Sequence, residues 1–135
     1  MRFRNRTLVG AALIWGSLMP LSAHHSITAE FDLEKRVTLS GVVTQVEWMN
    51  PHSYFFVDVN DPRTRKVENW AFQLNSPNAL TALGWTHGTL KAGDMVTASG
   101  SPSLSGSKVV YTREIRFQDG RKLSAEYLPS ASAPH

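Results

Sequence analysis

Val37-Thr38-Leu39-Ser40-Gly41-Val42-Val43-Thr44-Gln45-Val46-Glu47-Trp48 is the stretch from which the fold can be read. Its apolar residues fall first at Val37 and Leu39, then at Val42, Val46 and Trp48, with Thr44 keeping the second phase. Strand side chains alternate between faces, so a slip of one residue turns the apolar set outward unless a bulge absorbs it. The slip falls at Gly41, and glycine tolerates the backbone angles a bulge needs. The segment therefore predicts one long, sharply coiled strand, broken by Asn50-Pro51-His52.

Outward from this strand, residues 53–59 resume with aromatic and β-branched side chains, and Asn60-Asp61-Pro62 marks a turn. A third strand is expected over 66–74. Ser76 then offers an N-cap, Pro77 suits the first helical turn, Leu80 and Leu83 share a face, and Gly84 supplies a stop. After a connection over 85–94, a fourth strand is expected over 95–100 and a fifth over 108–117. The serine-rich stretch 101–107 reads as a loop and Asp119-Gly120 as a tight turn. Three strands, one short helix and two more strands make a mainly β chain. The order is that of a small five-stranded OB-like barrel, the oligonucleotide/oligosaccharide-binding type, with its helix between strands 3 and 4. A small open sheet covered by one helix is the competing architecture; closure has the advantage of removing exposed edges.

The chain is 135 residues long, which allows one domain, and it has no cysteine, which excludes disulfides, thiolate metal sites and cysteine nucleophiles. Its formal charge of +3 resides wholly in Arg2, Arg4 and Arg6. These precede an apolar run over 8–19, then Pro20 and Leu21-Ser22-Ala23, the pattern of a secretory signal peptide cut after Ala23. The run falls short of the roughly 20 residues that span a bilayer. The expected organisation is a signal peptide over 1–23, the barrel domain over 24–126 and a flexible tail over 127–135. The processed chain would then be periplasmic or secreted, without a stable membrane span. It would carry 11 basic against 11 acidic side chains. A neutral domain lacks the electrostatic footprint of a nucleic-acid binder, so nucleic acid is not an expected partner.

No Gly-x-Ser-x-Gly elbow, His-Glu-x-x-His pair or glycine-rich phosphate loop occurs, and no catalytic residue is assigned. The informative position is the new N-terminus, where His24 and His25 become the first two residues. A free α-amino group beside its own imidazole forms a bidentate nitrogen chelate once deprotonated. Copper(II) favours tetragonal nitrogen coordination and heads the divalent affinity order. His52, in the loop between the first two strands, is the candidate for a further ligand, with Pro51 stiffening its approach. Glu30 and Asp32 are candidate outer acceptors for imidazole N–H groups. The plain alternative is a solvated leader and a polar turn, with the protein a structural, protein-interaction or small-ligand module of the cell envelope that holds no metal. Under that reading Trp48, Asn50 and Trp85 are candidates for a ligand groove, although aromatic residues in a chain this small mostly serve the core. The basic run Arg63-Thr64-Arg65-Lys66 reads as a solvated hairpin tip.

Several short segments together resemble a family of small exported bacterial proteins described only as a domain of unknown function. They are Ala23-His24-His25-Ser26, Glu30-Phe31-Asp32, Gly41-Val42-Val43 through Val46-Glu47-Trp48, Asn50-Pro51-His52 and Asn69-Trp70-Ala71-Phe72. Ser76-Pro77-Asn78-Ala79-Leu80, Gly84-Trp85-Thr86 and Gly93-Asp94 extend the resemblance over most of the processed chain. It implies a small β domain located in the envelope and supplies no reaction, substrate or partner. His87 departs from the pattern and is read as a loop residue.

Overall fold

Residues 53–60 show why a barrel forms here. Ser53, Phe55, Val57 and Val59 are buried, while Tyr54, Phe56 and Asp58 are only partly covered, the period-2 pattern of a strand with one face on a core. The structure is a computed structural model that describes residues 27–126; the expected signal peptide over 1–23 and tail over 127–135 lie outside the described residues. The described residues form α1 (Ile27–Glu30), β1 (Val37–Glu47), β2 (Tyr54–Asn60), β3 (Val67–Gln73), α2 (Pro77–Ala82), β4 (Met95–Pro102), β5 (Val109–Phe117) and β6 (Lys122–Ser124).

The sheet runs β3-β2-β1-β4-β5-β6, and an additional pairing of β3 with β5 closes it. All ladders are antiparallel except that closing one, where Ala71, Phe72 and Gln73 run parallel to Val109, Val110 and Tyr111. The chain is thus a closed five-stranded barrel with α2 between β3 and β4, as the order of elements predicts. β6 lies along the second half of β5, at Glu114 to Arg116, beyond the part that β3 occupies. Inside the barrel Phe55 and Phe72 stack with ring centroids 4.9 Å apart, both without solvent exposure. Val43, Val57, Leu74, Val110 and Ile115 complete the centre of the same cluster.

The register of β1 differs from the expectation. The shift lies between Val43 and Gln45, so Val37, Leu39, Gly41 and Val43 share the inward phase, and Val43 is 1% exposed against 38% for Val42. The bulge sits at Thr44 because Val46 must return to the core after Val43. Gly41 serves another purpose. A Cβ built there would run into the Asp58 carbonyl oxygen, and one built on Gly100 would run into that of Tyr111. These are the two places where one strand's backbone presses against its neighbour as the sheet curls.

Local signals set the helix. The Ser76 hydroxyl accepts a hydrogen bond from the Ala79 N–H at 3.3 Å, Pro77 opens the first turn, and Gly84, at φ +89°, ends it. Leu80 is fully buried, whereas Leu83 is 38% exposed instead of sharing that face. β4 continues to Pro102 because the N-terminal segment covers it: Asp32 N–H donates to the Pro102 carbonyl, Phe31 bridges to Ser103, and the Phe31 ring lies 5.7 Å from that of Tyr111. Neither α1 nor β6 is legible in the sequence, since four and three residues are too few to display a period.

Adding a methyl group at Gly100 forces the closed sheet apart where it has no slack. Gly100→Ala is expected to lower stability by ~1–3 kcal/mol. Gly88→Ala, where the nearest atom is 3.9 Å away, should stay within about 0.5 kcal/mol. Urea denaturation of the two variants checks the contrast.

Candidate functional site

The loop from Trp48 to Ser53 leaves β1 and enters β2 at the end of the barrel where α2 also begins. Its far end is pinned to the exit of β3: Ser53 N–H donates to the Asn75 carbonyl at 3.1 Å, and Leu74 N–H donates to the Ser53 carbonyl at 2.8 Å. The Ser53 hydroxyl reaches back to the Met49 carbonyl at 3.5 Å. Asn50, Pro51 and Met49 are exposed at the tip, and the Asn50–Pro51 peptide is cis.

His52 is half-buried on this loop, and its Nδ1 is a buried atom without a hydrogen-bond partner among the described residues. The indole N–H of Trp48 is in the same condition. Leaving such a group unsatisfied costs ~1–3 kcal/mol, so two in one loop of six residues mark a place suited to an additional polar partner. The Trp48 ring packs against the core on one side and carries His87 on the other, centroids 4.5 Å apart and planes tilted by 33°. Sequence reading set His87 aside as a loop residue. Its return to this end of the barrel follows from the stop at Gly84, which turns the chain back over the mouth that α2 covers.

The other predicted residues fall as follows. His24 and His25 lie outside the described residues. Glu30 ends α1 and shares with Tyr54 and Gln73 a cleft of about 380 Å³. Asp32 is committed to its own turn, accepting from Glu34 N–H at 3.2 Å and pairing with Lys35 Nζ at 3.2 Å, so it is not aimed at the β1–β2 loop. Trp85 is 2% exposed and its indole N–H donates to the Ser124 carbonyl at 3.1 Å; it plugs the barrel and forms no wall of an open groove. Trp48 lies beneath His87, and Asn50 is exposed at the loop tip. Among the described residues no group of three or more histidine, aspartate or glutamate side chains converges in a metal-ligating arrangement.

Tyr54 and Gln73 form a further polar pair beside the Glu30 cleft. They face each other across β2 and β3, with the Tyr54 hydroxyl donating to Gln73 Oε1 at 3.0 Å. Burial raises the Tyr54 phenol above its ordinary value of 10.0, and the carboxylates of Glu30 and Glu47 push it further the same way. Tyr111, hydrogen-bonded with Asn75, is also raised above 10.0, chiefly by burial. For both groups the folded chain holds its proton to a higher pH than the unfolded chain. Their contribution to stability is therefore complete below pH 10 and is lost as pH climbs from there through the folded values. Unfolding curves collected across that alkaline range should show falling stability, with a shallower fall in Tyr54→Phe.

No curated protein and no solved structure matches the chain. A family model does match, over residues 13–111, from ahead of the described region to the first part of β5. That span takes in the β1–β2 loop, the α2 cap and the strands that close the barrel, and on it the chain belongs to the family of unknown function DUF6152.

Proposed function

We propose that this chain is an exported, non-catalytic β-barrel binding module of the cell envelope, trimmed after Ala23, that binds copper(II) through its new N-terminus and the β1–β2 loop. The His24 amine and imidazole form the chelate, His52 completes it, and His25 either ligates or orients the site. Nitrogen donors of this kind must shed protons before they bind, so affinity falls as the medium is acidified from about pH 8 to 6.

The observation that carries this reading is the buried, unpartnered Nδ1 of His52 on a loop whose end is fixed to β3. Reach supports it. Glu30 and Tyr54 line one cleft, Tyr54 is two residues after His52, and His25 is five residues before Glu30. Ile27–Glu30 is helical and rises only ~1.5 Å per residue, so reach comes from the residues before Ile27, and the three back to His24 span at most ~11 Å when extended. Of the two carboxylates considered as outer acceptors, Glu30 lines the cleft that Tyr54 also lines.

Calorimetric titration of copper(II) into the chain beginning at His24 tests the proposal. His24→Ala and His52→Ala should each weaken binding by more than the roughly 10- to 100-fold that loss of an outer-sphere partner costs. A chain retaining residues 1–23, which lacks the free amine at His24, should lose the tight site. Affinity indifferent to both substitutions would return the protein to the class of metal-free interaction modules.

A further inference from the structure

Among the described residues, nothing plugs the end of the barrel away from α2, where a cavity lies. Leu39, Val59 and Trp70 take the inward phase of β1, β2 and β3 there, Val57 opposing Trp70 and Val59 opposing Glu68 in the β2–β3 ladder. β3 meets β5 only from Ala71 onward, so the first half of β3 has no strand beside it on that flank. Beneath this overhang lies a cavity of about 400 Å³, floored by Leu39, Val59 and Trp70 and rimmed by Asn60, Asp61 and Glu68 among others. Ligand pockets run from roughly 300 to 1,000 Å³ and combine an apolar floor with a few placed polar groups, often in the mouth of a barrel.

The rim decides what class of ligand fits. Asp61 accepts from the Arg63 N–H at 2.8 Å and pairs with Arg63 Nε at 3.7 Å, and Glu68 pairs with Lys108 Nζ at 3.1 Å. Both carboxylates are thus oriented by neighbours and each is matched by one cation, so an anionic or cationic ligand meets no surplus of opposite charge. A wholly apolar ligand would strip water from Asn60, Asp61 and Glu68 and return no hydrogen bonds. What suits an indole floor beneath fixed carboxylate acceptors is a neutral ring with an apolar C–H face and hydroxyl donors at its edge.

We infer that this cavity is a binding site for one neutral pyranose ring, stacked on Trp70 with hydroxyl groups donating to Asp61 and Glu68. The site lies at the opposite end of the strands from His52 and is independent of the copper reading.

The test is titration of the metal-free processed chain with methyl glucoside, maltose and diacetylchitobiose, followed by tryptophan emission and by amide and indole N–H shifts. At least one sugar should give saturable shifts at the Trp70 indole N–H and at amides 59–63, with millimolar affinity. Glu68→Gln, a change at the partly exposed rim that should leave the fold intact, and Trp70→Phe, which keeps an aromatic floor, should each weaken binding, Glu68→Gln by about tenfold. The inference is overturned if none of the three sugars gives saturable shifts, if the shifts centre on the β1–β2 loop, if Glu68→Gln binds as the parent does, or if inorganic phosphate produces the same pattern.

Discussion

Three residue pairs close this molecule. Ala71, Phe72 and Gln73 meet Val109, Val110 and Tyr111 in the barrel's parallel ladder, and without it β3 and the first half of β5, which β6 does not cover, would be free edges of an open sheet. Closure brings backbones together tightly enough that two positions, Gly41 and Gly100, have no room for a side chain. Once closed, the barrel has an interior that must be filled, which the stacked Phe55 and Phe72 do at its centre, and two ends that must be dealt with separately.

The ends are handled by different chemistry. At one, Leu80 and Trp85 plug the opening, and Trp48 is sandwiched between the core and His87. Sealing that end leaves the β1–β2 loop resting on a rigid platform, which is what a ligating imidazole at His52 requires if the N-terminal histidines are to meet it. At the other end no helix of the described residues intervenes, and Trp70, partly covered, borders a cavity. One closed sheet therefore presents two chemically distinct mouths, one rich in imidazole and indole nitrogen, the other in carboxylates around an indole face.

Much of this architecture was legible in advance. Alternation over 53–59, the capping pattern of Ser76 and Pro77 and the stop at Gly84 are local signals, and each formed the element it announces. The phase slip in β1 was legible as a fact but not in its place, because Val42 and Val43 are both valines and composition alone does not say which one the neighbouring Val57 needs. Trp85, a candidate for a ligand groove by its residue type, is buried as a stopper, since the return of β6 supplies the Ser124 carbonyl that satisfies its indole N–H.

The sequence by itself determined the order of the five barrel strands, the helix between the third and fourth and its ends, and the residues able to offer nitrogen to a metal, because capping, alternation and side-chain chemistry are properties of short stretches. Tertiary structure alone decided which glycine meets which carbonyl, that His87 comes to lie on Trp48, that Asp32 is spent on Lys35, and that Trp70 rather than Trp85 borders open space. Each of these joins residues brought together by strand pairing or chain reversal, and no local pattern encodes how far a closing sheet will twist before its two edges meet.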